Sequence, residues 1–352
     1  MAVREKTMRR RFGEAALAEQ QVSVAQLEEC LGIQQMRRQE GADVKIGEIF
    51  VERGYLNQVQ VHLLLTVQRG RKLRMEIGGF KIVDKLGRGA MSSVFQARDL
   101  VTGRTVALKV MPPKAAESAT LLERFRRESR AAMMLDHPNI VRGITAGEDA
   151  GFYYFAMEYV RGRSLSRRIR SSGPLAERVA LFIARQVADA LHHADGFGLL
   201  HRDIKPDNIM VLMDDFVKVT DFGLSRLRTG DDTMLTLPGA AVGTPYYMSP
   251  EQARGETDLD IRSDLYSLGA TLYEMLTGSP PHTGPSAALV LAQHLTEEPP
   301  PPQERNPELS DDAARLIAGL LAKDRDQRTP SPAGLRDEID ALLDERGPRR
   351  GR

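Results

Sequence analysis

Four short segments carry side chains whose types and spacing could do chemistry together: Gly87-Arg88-Gly89, Lys109, Asp203 with Lys205 and Asn208, and Asp221. Glycines without Cβ atoms let a backbone approach a polyphosphate closely. An ammonium offers it a compensating charge. One carboxylate can take a proton from a hydroxyl, and an amide oxygen with a second carboxylate suits a hard cation such as Mg²⁺, which prefers oxygen ligands. Together these are the requirements of phosphoryl transfer from a nucleoside triphosphate. Taken singly, each has an ordinary structural account: a Gly-x-Gly hairpin, a lysine on an edge strand, aspartates capping loops.

The elements that must position these residues are legible as changes of period. Phe80 to Leu86 alternates and stops at glycine, Ser93 to Asp99 returns, and Thr105 to Val110 is an apolar strand interrupted by Lys109, whose charge needs a partner if buried. Leu122, Phe125, Ser129 and Ala132 fall at helical spacing on a segment from Leu121 to Leu135, which also carries Glu128. Phe152 to Ala156 is an apolar strand, and Ala176 to Gly196 a long helix leading toward His201. Val217 to Thr220 delivers Asp221. Further helices are expected from Asp264 through Met275, from Asp311 to Leu321 and from Pro332 to Leu343, with a rigid connector at Pro299 to Pro302.

His201-Arg202-Asp203-x-Lys205-x-x-Asn208, then Asp221-Phe222-Gly223, at their spacing from Val106-Ala107-Leu108-Lys109 and the glycine segment, resemble the eukaryotic-like serine/threonine protein kinases of bacteria. The resemblance runs from Phe80 to about Leu343. It implies an α+β, bilobal protein kinase fold, with an antiparallel sheet and one helix in the small lobe and a mainly helical large lobe, acting with ATP and Mg²⁺ on protein substrates. On the family pattern Leu86, Gly87, Arg88, Gly89, Ala90, Met91, Ser92, Ser93 and Val94 cover the nucleotide. Lys109, paired with Glu128, would meet the phosphates; Ala107 and Met210 would help to enclose the base; and Met157, Glu158 and Val160 would form the hinge. Asp203 and Lys205 would be catalytic, and Asn208 and Asp221 would hold metal. Lysine at position 205 is the pattern of the serine/threonine members. Two positions depart from the family: Ser92 replaces the third glycine, and Ser249-Pro250-Glu251 replaces Ala-Pro-Glu. Glu251 would pair with Arg328, and Asp264 would support the catalytic loop from behind. Arg202 marks kinases whose activation segment is ordered by a phosphate, here at Thr233 or Thr236, while Thr244 would bond Asp203 and Lys205. The alternative is a pseudokinase-type scaffold that binds partners without catalysis.

At 352 residues, 41% hydrophobic and 28% charged, with a formal net charge of +1, the composition is that of a soluble globular chain and argues against a nucleic-acid binder. The single cysteine, Cys30, reads as a core residue. No run reaches the length of a membrane span and no signal peptide opens the chain, so a cytoplasmic location is expected. Residues 1–75 contain an internal repeat, Arg11 to Gln34 laid over Lys45 to Gln68 at a period of 34. In each copy a capping residue, Ser23 or Asn57, precedes a glutamine three residues on, and Leu27, Cys30 and Leu31 match Val61, Leu64 and Leu65 on one helical face. A small all-α domain is expected at 1–75, a kinase domain at 80–346 and a basic disordered tail at 347–352. The repeat also resembles the N-terminal domain of bacterial type II secretion ATPases, some of which bind cyclic di-GMP. That likeness implies ligand contacts from Arg11, Gln34, Lys45 and Gln68 beside Gly13 and Gly47, although Lys45 replaces an arginine and Gln20 a glycine. Docking of a partner or self-association is the favoured role for residues 1–75.

Overall fold

The structure, a computed structural model, describes residues 12–18, 21–56, 60–61, 64, 76–88, 92–222 and 245–344. These fall into two compact units, one comprising the described residues up to Leu122 with Ala146–Ala156, the other Glu123–Thr145 and the described residues from Met157 onward.

The first unit begins with helices α1 (Phe12–Ala18), α2 (Val24–Gln39) and α3 (Ile46–Glu52). Ser23 and Gln26 close a capping box: Ser23 Oγ accepts the Gln26 N–H at 3.2 Å, and Gln26 Oε1 accepts the Ser23 N–H at 2.8 Å. The sequence repeat recurs in the packing. Ala16 and Phe50, Val22 and Leu56, and Cys30 and Leu64 are equivalent under the 34-residue shift, and all six are buried in one apolar cluster with Phe12 and Ile49. The turns repeat as well, Gln21 N–H donating to the Ala16 carbonyl and Tyr55 N–H to that of Phe50, both at 2.9 Å. A Cβ on Gly13 would stand 2.6 Å from Leu27, and one on Gly47 3.0 Å from Val61, again a matched pair of contacts. Close helix packing therefore accounts for both glycines. Leu31, expected on the apolar face, is 47% exposed, because Leu27 and Cys30 already fill the contact beside it.

A six-stranded sheet follows in the order β1-β2-β3-β4-β6-β5, built from β1 (Glu76–Ile77), β2 (Phe80–Arg88), β3 (Ser93–Asp99), β4 (Thr105–Met111), β5 (Gly143–Asp149) and β6 (Phe152–Glu158). Alternation sends Phe95, Ala97, Val106, Leu108 and Val110 to one face, where they pack with Ile77, Phe80, Ile82, Phe152 and Ala156. A short helix, α4 (Pro113–Ala116), and a longer one, α5 (Ala119–Met134), follow β4.

The second unit is mainly helical. A three-stranded sheet of β7 (Arg163–Ser164), β8 (Ile209–Val211) and β9 (Val217–Val219) accompanies α6 (Leu165–Ser172), α7 (Glu177–Asp195), α8 (Pro250–Ala253), α9 (Ile261–Thr277), α10 (Ala287–Thr296), α11 (Pro302–Arg305), α12 (Asp311–Leu320) and α13 (Pro332–Asp344). Helix α9 is buried nearly all round, as a central core helix must be. Two of its hydroxyls bond within the helix, Ser267 donating to the Ser263 carbonyl at 3.2 Å and Thr271 to that of Ser267 at 2.9 Å.

Glu251 and Arg328 pair in this interior as the sequence led us to expect. Arg328 Nη1 and Nη2 lie 2.6 and 2.8 Å from the two carboxylate oxygens, and Ser263 Oγ adds a third donor at 2.7 Å. The remaining guanidinium donors reach the carbonyls of Ala322, Arg262 and Lys323, so neither charge is left uncompensated. Burial pushes the Glu251 carboxyl up, but the Arg328 and Ser263 hydrogen bonds and the Arg328 charge outweigh it and hold the group below the ordinary carboxylate range. Because the folded pKa is depressed, the pair's stabilisation is present above the ordinary carboxylate range and is lost as pH falls through the folded value. Substituting Arg328→Met should strand the buried carboxylate and cost about 3–5 kcal/mol in urea unfolding at neutral pH, with a smaller difference from the parent protein in acid.

Candidate active site

The predicted residues fall in both units. In the first, the strand register places Gly87 opposite Val94 and Val94 opposite Lys109, while Ala107 lies opposite Gln96. Directly paired residues share a face, so Val94, Lys109 and Ala107 occupy the side of the sheet away from the Phe95–Leu108 core. Ser92 and Ser93 are buried, Lys109 is partly buried and Leu86 is 46% exposed. Gly87 has an ordinary negative φ, and a Cβ built on it would meet nothing within 4 Å among the described residues. Among the described residues neither backbone conformation nor packing requires glycine there. Gly89, Ala90 and Met91 lie outside the described residues, as do Thr233, Thr236, Thr244, Arg11, Gln20, Leu65, Gln68 and the expected tail at 347–352.

In the second unit the catalytic-loop residues are drawn together by short contacts. Lys205 Nζ sits 2.6 Å from Asp203 Oδ2, and Asn208 Nδ2 donates to the Asp203 carbonyl at 2.8 Å and to Oδ2 at 3.0 Å. Among the described residues Asp203 Oδ1 has no hydrogen-bond partner, so it is the oxygen left to accept a proton. With both donors of Asn208 engaged, its amide oxygen is the atom left to face a cation. Asp221, at the end of β9, is exposed with φ 58°. Among the described residues no group of three or more His, Cys, Asp or Glu could hold a metal alone. An amide oxygen and one carboxylate instead fit Mg²⁺, which keeps waters and takes further oxygens from a phosphate substrate.

His201 organises this loop. The Asp203 N–H donates to its Nδ1 at 3.3 Å and Nε2–H donates to the Thr220 carbonyl at 2.9 Å, which assigns the proton to Nε2 and joins the loop to the strand that carries Asp221. Phe222 packs edge-on against the imidazole at 4.7 Å. Behind the loop, the wholly buried Asp264 accepts the N–H groups of His201 and Arg202, both at 2.7 Å. Those two bonds hold Arg202 at φ 64°, a left-handed conformation that a non-glycine residue adopts only when its surroundings impose it. Helix capping belongs to Asp260, whose side chain accepts the Arg262 N–H, so the helix-terminal account of Asp264 falls away. Burial pushes the Asp264 carboxyl above its ordinary range, against the pull of His201 and Arg202. Burial likewise lowers Arg202, which also feels the like charge of Arg127 on α5.

Glu128 is buried and lies 3.4 Å from Arg124 one helical turn earlier. Met157 is buried at the end of β6, Glu158 closes that strand, Val160 follows it and Met210 sits partly buried in β8. In the N-terminal helices, the Gln34 amide donates to the Val44 carbonyl at 2.8 Å and Lys45 is exposed at the start of α3. Sequence reasoning missed Gln252, whose Nε2 donates to the Arg202 carbonyl at 3.0 Å; its signal is the Ser249-x-x-Gln252 capping box. It also missed Asn139 and Gln186, which bond each other at 3.0 Å and clamp Val217 at the start of β9.

The fold and this constellation define a protein kinase, and the model of the protein kinase domain matches residues 80–338, so the chain belongs to the protein kinase family. It is 40% identical over 264 residues to serine/threonine-protein kinase PknB of Mycolicibacterium smegmatis, covering 74% of this chain and 42% of that protein. It is similarly 41% identical over 276 residues to serine/threonine-protein kinase pkn3 of Myxococcus xanthus, covering 76% and 50%, and 40% identical to PknB of Mycobacterium tuberculosis over 264 residues, covering 74% and 42%. The matched region thus spans half or less of each of these curated relatives. Among the described residues no helix is long and apolar enough to cross a membrane.

Asp264→Asn keeps the shape but turns one acceptor into a donor facing a backbone N–H. It should lower stability by about 1–3 kcal/mol and, by loosening the loop by a fraction of a bond length, lower the activity of its kinase domain about 100-fold. Urea unfolding and steady-state kinetics on the same preparation check both.

Proposed function

We propose that this chain is a protein-serine/threonine kinase transferring the γ-phosphoryl group of Mg-ATP to hydroxyls of protein substrates. One observation carries this: Asp203, Lys205 and Asn208 converge within 3.0 Å contacts and leave one carboxylate oxygen and one amide oxygen available. Bound Mg-ATP supplies the phosphoryl group and the metal charge that shields it. Asp203 orients the acceptor hydroxyl and takes its proton through Oδ1. Lys205 offsets negative charge at the transferred group, and its present contact with Asp203 keeps the ammonium within reach. Asn208 and Asp221 hold the metal, and Lys109 with Glu128 receives the phosphates. Gly87, Arg88, Gly89, Ala90, Met91, Ser92 and Ser93 line the polyphosphate, Gly87 being the position where open space favours this role. Leu86, Val94, Ala107 and Met210 enclose the base, and Met157, Glu158 and Val160 meet its edge. The serine/threonine class is supported by Lys205 and by the names of the relatives.

Autophosphorylation at Thr233 or Thr236 is proposed to activate the enzyme. Arg202 supports it, because a half-buried guanidinium beside a second one, Arg127, is a setting that favours an arriving dianion. Incubated with Mg²⁺-ATP and a generic basic protein, the parent should phosphorylate serine or threonine and Asp203→Asn should lose at least about 100-fold of that rate. Mass spectrometry of the active parent should find phosphate at position 233 or 236. An inactive parent that still binds partners would leave the scaffold alternative.

Residues 1–75 are proposed as a docking or self-association module. The helices there have their own apolar cluster, Gln34 is engaged with Val44, and the two glycines have packing roles, so three of the ligand-site features have structural accounts. Calorimetric titration of the full chain with cyclic di-GMP should give no heat; a heat accompanied by a thermal shift would reassign the module to nucleotide binding.

A further inference from the structure

Strand β9 buries Val217 and Val219 completely, so the residue between them, Lys218, points to the opposite face of its sheet. Its register partner on β8 is Met210. Directly opposed residues share a face, so the lysine stem lies beside the methionine proposed to meet the base. The Lys218 side chain is 14% exposed, and its ammonium reaches two acceptors, Glu158 Oε2 at 3.0 Å and the Ile140 carbonyl at 3.3 Å. Glu158 in turn exchanges bonds with Arg142, its N–H donating to the Arg142 carbonyl at 2.9 Å and its Oε2 accepting the Arg142 N–H at 3.4 Å. Lys218 therefore ties the end of β6 to the strand that delivers Asp221.

That strand does not need the ammonium for its own place. Val219 N–H donates to the Asn139 carbonyl at 2.8 Å, Val141 N–H to that of Val219 at 2.9 Å, and Gln186 Oε1 accepts the Val217 N–H at 3.0 Å. The lysine contact adds a constraint on Glu158 rather than on β9. A half-buried ion pair that fixes one backbone segment is worth having where that segment must present a carbonyl and an amide in a set geometry.

We infer that Lys218 is a positioning residue of the nucleotide site: through its ion pair with Glu158 it fixes the backbone that meets the adenine edge and aligns it with Met210 on the neighbouring strand. The inference rests on the proposed ATP site. Lys218 touches neither the transferred phosphoryl group nor the acceptor hydroxyl, so its loss should weaken nucleotide binding and spare the chemical step.

The test is calorimetric titration of ADP with Mg²⁺ into the full chain, with ATP steady-state kinetics alongside. Lys218→Met should raise the Kd for ADP and the KM for ATP about tenfold, the factor equivalent to ~1.4 kcal/mol, while kcat stays within about threefold. Lys218→Arg, which keeps the charge, should recover most of the affinity. Adding Glu158→Gln to Lys218→Met should weaken binding by much less than the two single effects combined, because both remove one interaction. Unchanged ADP affinity in Lys218→Met, or a fall in kcat at constant KM, would overturn the inference. If Lys218→Met fails to fold by thermal melting, Glu158→Gln alone carries the same expectation for ADP. A parent chain that does not bind ADP would instead refute the ATP site itself.

Discussion

The catalytic loop depends on one carboxylate it does not contain. Asp264, buried in the core helix α9, accepts two backbone N–H groups from consecutive residues and so dictates the path of the chain through His201 and Arg202. Removing a carboxylate from water is costly unless its lone pairs are met, and here they are met by amides that would otherwise be orphaned in the interior. The same two bonds hold Arg202 left-handed. From that turn the loop continues to Asp203, and the ring of His201 carries the constraint onward to Thr220 and thus to Asp221. Gln252 takes up the Arg202 carbonyl, so both backbone polar groups of the left-handed residue are used. The residues proposed for proton transfer and metal binding inherit their spacing from a side chain some sixty positions later in the chain.

Much of this was legible in the sequence, and for identifiable reasons. Strands β2 to β4 alternate because one face of their sheet is buried against an apolar cluster and the other is not, so the period is written in Phe95, Ala97, Val106 and Leu108. Arg328 was readable as the partner of Glu251 only through the family pattern, since nothing local joins residues so distant in sequence; the structure supplies the reason in a bidentate pair whose every donor is used. Asn139, Gln186 and Lys218 left no such trace. A polar residue beside apolar neighbours, as at Gln186 and Lys218, signals only that a partner exists, and for all three the partners are brought up by tertiary packing rather than by spacing. Leu31 failed for the converse reason: helical periodicity marks a stripe wider than the contact that the neighbouring helices fill.

Glycines divide in the same way. Gly13 and Gly47 invite a ligand-contact interpretation because the sequence places them identically in two copies, yet their surroundings explain them as points where a neighbouring side chain closes on the helix. Gly87 is the reverse case. Among the described residues nothing lies within 4 Å of where its Cβ would stand, on a strand of the same sheet that carries Lys109.

The doubled helical unit also carries a record of divergence between its halves. At three equivalent buried positions the first copy has Ala16, Val22 and Cys30 where the second has Phe50, Leu56 and Leu64, while Phe12 and Leu27 of the first copy stand where the second has the smaller Ile46 and Val61. Two like halves brought together would leave voids at some of these positions and crowd others; either departure costs stability in an interior packed as densely as a crystal. Only the unlike pairing fills the space. The two copies thus complement one another in volume, which sets a first half against a second rather than against its own kind.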